Sequence, residues 1–174
     1  MAAIAEGFAQ VNELASGPVL TAWGAASDFL IVLILLGVLF LFAWYMNYGQ
    51  LVALLLSFYA AYAFYAAFPY LELLPTAPAL TALLAHLGLY LAFALLFYII
   101  LRRVVVSDFL HISIFGVLVL SFLGATFLIA LMYHVFPLAD VYQFSPAMDT
   151  LFALKEYFYW WFIAPAVGLF FLAR

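Results

Sequence analysis

His86, His134, Glu72 and Asp140 are the residues in this chain best suited to chemistry. Imidazole and carboxylate together bind a divalent cation or relay protons inside a membrane. Their arrangement does not follow a metal motif. No HxxxH or HxxE spacing occurs, and each of the four falls on a different segment of the chain. Haem would need two histidines facing each other across a helical bundle. The plainer reading is preferred: two interfacial histidines bonded to backbone or water, forming at most a polar outer cluster with Glu72 and Asp140. No metal or cofactor is assigned. His111 reads as a solvated loop residue.

Nucleophilic chemistry has less to stand on. A catalytic serine needs a positioned base. Ser57 and Ser121 fall in mid-span and lack the flanking glycines of a nucleophile elbow, and Ser113 lies near a span end. An aspartyl pair would need two acids at depth, but Asp28, Asp108, Asp140 and Asp149 all fall at the ends of apolar runs. No glycine-rich phosphate loop is present. The absence of cysteine excludes disulfides and thiolate sites. These features point away from an enzyme.

The elements that would position these residues are membrane helices. The chain has 174 residues, of which 72% are hydrophobic and only 7% charged. Soluble proteins are about a quarter charged. Runs of about 18 apolar residues are long enough to cross the hydrocarbon core as helices. Four such spans are expected, over about 29–46, 51–71, 79–101 and 112–136. Ser27 and Asp28 read as caps of the first span. Asn47-Tyr48-Gly49-Gln50 reads as a tight turn after it. Ser145-Pro146 reads as N-cap and first residue of a further helix, running through the aromatic block 157–162. The last apolar stretch, 158–173, is interrupted by Pro165 and Gly168 and reads as either a short fifth span or an interfacial helix. Residues 3–15 place Ile4, Phe8, Val11 and Ala15 on one face, which fits an amphipathic surface helix, and Trp23 suits an interfacial anchor. The fold class is therefore an all-α polytopic membrane protein of one membrane domain over 1–174. It comprises an N-terminal interfacial segment (1–27), a four-helix core (28–136) and an outside segment with the C-terminal helix (137–174).

Charge sets the expected orientation. Arg102-Arg103 is the only basic pair in a short loop, and the positive-inside rule places that loop in the cytoplasm. The N-terminus, the 72–78 loop and the polar segment 138–156 are then outside. The N-terminus lacks the basic region of a signal peptide and is expected to be retained. A net charge of −4 leaves no basic groove for nucleic acid.

The second span carries small residues at helical spacing: Ala53, Ser57, Ala60, Ala63 and Ala67. Small residues let helices approach closely in lipid. They mark either an oligomer face or ordinary packing within one bundle, and the second reading is favoured. Phe58, Tyr62 and Tyr65 add an aromatic stripe.

Several stretches resemble a known family. Asp28-Phe29-Leu30-Ile31-Val32 opens the first span, the turn Asn47-Tyr48-Gly49-Gln50 follows, and LVALLLSFYAAYAFYAAFPYLELL ends in a Tyr/Phe/Pro cluster. Span three ends in basic residues, span four carries Gly116 and Gly124, and a Ser-Pro helix with aromatics runs from Ser145-Pro146 to Trp161. Over about 28–165 this pattern resembles the colicin V production protein (CvpA) family of bacterial inner-membrane proteins. Where the family carries a base before the turn glycine and an acid after it, this chain has Tyr48 and no acid over 50–56. The resemblance implies an envelope protein of the inner membrane without catalytic residues or cofactor. The expected partners are the lipid bilayer and either further copies of the chain or another membrane protein. The expected role is a scaffold or accessory subunit. The competing role is a small channel or transporter formed by oligomerisation, since no charge lies in the middle of any span and only an oligomer would enclose a pore.

Overall fold

The computed structural model describes residues 26–104, 113–138 and 140–172. The surface helix expected over 3–15, together with Trp23, Asp108, His111 and Arg174, lies outside them. All regular structure among the described residues is helical. The helices are α1 (Ala26–Met46), α2 (Tyr48–Ala66), α3 (Ala79–Val104), α4 (Ile114–His134), α5 (Pro146–Phe152) and α6 (Lys155–Leu172), with a short 3-10 turn at Leu71–Leu73. Helices α1 to α4 are each long and apolar enough to cross a membrane.

Successive long helices alternate in direction. Val32 near the start of α1 packs with Ile129 and Ala130 near the end of α4. Leu39, a full two turns later, reaches the level of Gly124. Tyr65 at the end of α2 meets His86 near the start of α3, and Gln50 at the start of α2 meets Tyr98 near the end of α3. Phe158 of α6 lies on His134, and Gly168 lies against Leu123 of α4. One end of the bundle, the Asp28 end, therefore gathers the start of α1, the end of α2, the start of α3, the end of α4, α5 and the start of α6.

Helix α4 is the centre. Of its most apolar window 61% is buried, against 11% for α3. α3 packs mainly on α2 and is a peripheral helix, whereas α4 touches α1, α2 and α6. Gly124 is what lets α4 approach so closely. A Cβ placed there would come within 2.6 Å of Leu55 Cδ2 and 3.1 Å of Leu39 Cδ1. An aromatic trio ties the centre together: Tyr59 of α2, Phe127 of α4 and Phe162 of α6 have ring centroids 4.8 to 5.5 Å apart.

Four local expectations change. The turn over 47–50 contracts to one residue. Asn47 adopts φ 90°, its side chain accepts from the Tyr48 N–H at 2.8 Å, and Tyr48 to Gln50 already form the first turn of α2. Asparagine accepts this backbone because its short amide bonds locally. Span two ends at Ala66 rather than at residue 71. The helix begun at Pro146 stops at Phe152, and α6 starts afresh at Lys155. Helix α6 is not interrupted by Pro165 or Gly168 but runs through both. A proline inside a helix leaves the carbonyl four residues back, here that of Trp161, without its N–H donor. The Tyr59 hydroxyl donates to the Phe162 carbonyl, three residues before Pro165, at 2.5 Å.

Replacing Gly124 with Ala is expected to cost about 1 kcal/mol, and with Leu about 3 kcal/mol, through overpacking against Leu55 and Leu39. Gly37→Ala and Gly88→Ala, where nothing lies within 4 Å, should be neutral or stabilising; unfolding in detergent micelles compares all four. Tyr59→Phe removes the bond to the Phe162 carbonyl and should destabilise by about 1 kcal/mol, read in the same assay.

Candidate functional site

The polar residues of the apolar spans are largely engaged within the bundle. Ser57 Oγ donates to the Leu54 carbonyl at 2.6 Å, and Thr126 Oγ1 lies within 3.1 Å of the Phe122 and Leu123 carbonyls. Tyr90 donates to the Phe58 carbonyl and Tyr98 to Gln50 Oε1. Serine and threonine in apolar helices ordinarily bond back in this way. Ser121 Oγ is buried without a partner among the described residues.

The residues of the expected outer cluster occupy separate places. His86 is half-buried and shares a hydrogen bond of 2.6 Å with the Tyr65 hydroxyl through Nδ1. His134 is also half-buried, and its Nε2 donates to the Phe152 carbonyl at 2.7 Å. Glu72 and Asp140 are exposed. Among the described residues, no three His, Asp or Glu side chains converge on a point where a metal could sit. The small-residue face of α2 divides along its length. Ala53 and Ser57 are fully buried, Ala60 is half-buried, and Ala63 and Ala67 are exposed.

The densest polar constellation lies elsewhere, around Asp28. This residue sits in the first turn of α1 and is only 2% exposed. Its Oδ2 accepts the Ser145 backbone N–H at 2.6 Å, and its Oδ1 accepts the Tyr142 hydroxyl at 2.8 Å. Ser145 does stand at the N-cap of α5, but its side chain makes no capping bond. Nearby, Tyr133 donates to Asp149 at 3.0 Å, and Trp161 Nε1 donates to the Leu151 carbonyl at 2.9 Å. Apolar packing completes the attachment: Met148 and Phe152 are buried with Val32, Ile129 and Ala130. Residues 140–154 thus form a cover folded over the Asp28 end. A buried carboxylate with amide and hydroxyl donors is strongly held, because charge-assisted bonds are about twice as strong as neutral ones. A cavity of about 290 Å³ opens beside the cover, with Tyr133, Tyr142, Gln143 and Asp149 in its wall.

Asp28 and Ser145 were legible as polar residues at helix starts; Ser145 stands at the N-cap of α5 without a side-chain capping bond, and the meeting of the two residues was not foreseen. The pointer to their meeting was available: a lone acid at a span end, without a basic partner, and one polar segment between two apolar stretches. Comparison with family models, with curated proteins and with solved structures finds no match to this chain.

The bond to Asp28, then desolvation and the negative charge itself, push the Tyr142 phenol above its ordinary value of 10.0. A raised folded-state value means that the stability this contact contributes is complete below about pH 10. It is lost as pH rises through the folded-state value. In Asp28→Asn, one acceptor replaces two, so Tyr142 should ionise at lower pH in an ultraviolet titration. The same variant should lose about 1–3 kcal/mol of local stability. Hydrogen exchange over 142–152 should accelerate while that of α2 and α3 does not change.

Proposed function

We propose that this chain is a non-enzymatic membrane protein, similar in role to the CvpA family, that acts as a scaffold or accessory subunit. Its seat is the bacterial inner membrane, with the Arg102-Arg103 loop in the cytoplasm and the Asp28 end outside. The observation that carries this reading is the cover over 140–154. It is pinned by a buried carboxylate, yet Val141, Leu151 and Leu154 are 38%, 40% and 51% exposed, and Tyr159 and Trp160 follow it at 61% and 67%. A folded surface with exposed aromatic side chains such as Tyr159 and Trp160, flanked by apolar ones, suits protein docking, where Tyr and Trp carry much of the binding energy. The exposed Ala63 and Ala67 on α2 favour a second contact of the same kind, with another copy of the chain.

The test is the mass of the protein extracted gently from its native membrane. A defined complex is expected, and Leu154→Glu should dissolve the contact made through the cover without lowering thermal stability, because Leu154 is exposed. Ala63→Leu should affect only self-assembly. A bare monomer, or ion flux or catalysis by the purified chain alone, would overturn the scaffold reading.

A further inference from the structure

The cavity of about 290 Å³ beside the cover is lined by Tyr133, Leu138, Tyr142, Gln143, Phe144 and Asp149. It lies at the Asp28 end of the bundle, where Tyr142, Gln143 and Asp149 are exposed. Small-molecule pockets begin at about 300 Å³, so this one suits a small group rather than a peptide.

The hydrogen bonds decide the chemistry of that group. The Tyr142 hydroxyl donates to Asp28 Oδ1 at 2.8 Å, and the Tyr133 hydroxyl donates to Asp149 Oδ1 at 3.0 Å. A phenol has a single O–H to give. Toward any further partner, both oxygens are therefore acceptors only. Asp149 has a second carboxylate oxygen, which when ionised is likewise an acceptor only. Gln143 is the one side chain in the wall that has N–H groups as well as a carbonyl. Charge points the same way. Asp28 stands behind Tyr142, and both carboxylates act on Tyr133 through space. The pair Arg102-Arg103 ends α3 at the opposite end of the bundle, and Lys155 is absent from the wall. Rings supply the rest. Phe144 stacks on Tyr133 with centroids 4.8 Å apart, and Tyr142 meets Phe144 edge-on at 4.8 Å. The faces of such rings carry partial negative charge and attract ammonium groups. A hard metal ion fits less well. Calcium takes about six to eight oxygens, and among the described residues no three His, Asp or Glu side chains converge.

We infer that this cavity binds the protonated primary amine of a small molecule or a lipid headgroup, with Asp149 and the two phenol oxygens as acceptors. A primary ammonium brings three N–H donors and no acceptor, the complement of this wall. The inference is independent of the scaffold role. The full chain in maltoside micelles, which carry no amine, is titrated calorimetrically with ethylammonium at constant ionic strength. Saturable binding is expected. Tetramethylammonium has the same charge but no N–H, and should bind about tenfold more weakly. Asp149→Asn should weaken ethylammonium by a similar factor. Gln143→Lys places an ammonium of the chain's own at the cavity and should block the titration. Both positions are exposed, and thermal unfolding at the wild-type temperature shows that each variant is folded. The wild-type comparison of the two cations stands even where a variant unfolds. Phosphatidylethanolamine added to the micelles separates the sources: competition assigns the site to a lipid headgroup, and no competition assigns it to a soluble amine. Absence of saturable binding to the folded wild-type chain, equal affinity for tetramethylammonium, or displacement by an equal concentration of sodium would overturn the site.

Discussion

Most polar groups taken into this apolar bundle find a partner within it, Ser121 Oγ and Ser145 Oγ excepted among the described residues, and that demand organises the structure. Hydrocarbon offers no hydrogen bonds, so an unmatched carbonyl or carboxylate at depth costs several kcal/mol. The chain meets the demand with long-range side-chain bonds. Tyr59 serves the carbonyl near Pro165, Asp28 receives the turn before α5, and His134 donates to the last carbonyl of α5. Each of these bonds also joins two elements. Polar satisfaction and tertiary connection are here the same contacts.

Close packing does the rest. Between helices in lipid there is little hydrophobic drive, and dispersion between well-fitted surfaces takes its place. The fit is best around α4, where Gly124 admits Leu55 and Leu39, and Gly168 of α6 admits Leu123. Helix α3 lacks such a contact with the centre. It is held to α2 by aromatic edges and by the bonds Tyr65–His86, Tyr90–Phe58 and Tyr98–Gln50. The bundle is thus centred on α4, with α3 packed on the outer side of α2.

The two ends of the bundle differ in kind. At the Asn47 end, α1 and α2 are joined through a single residue of unusual backbone. At the Asp28 end, a folded segment closes the bundle and carries exposed apolar side chains. The docking role proposed for the cover rests on those exposed side chains and needs no reactive group.

The helical membrane class, the four spans and the helix start at Pro146 were legible in the sequence, because each depends on residues close together. Hydropathy sums over about 20 neighbours, and a Ser-Pro pair acts on its own turn. The interruption expected at Pro165 was also a local inference; the helix runs through it, and Tyr59, 103 residues away, donates to the nearby Phe162 carbonyl. For Asp28, local logic saw only a cap, and folding brings Ser145, 117 residues later, onto its carboxylate. Likewise, α3 and α4 are both apolar enough to span, α4 the more so, and the packing made one peripheral and the other central. Local composition determined what lies in the membrane. Tertiary structure decided which helix is the centre and which polar atoms meet, because burial and hydrogen bonding between distant residues depend on how the helices are assembled.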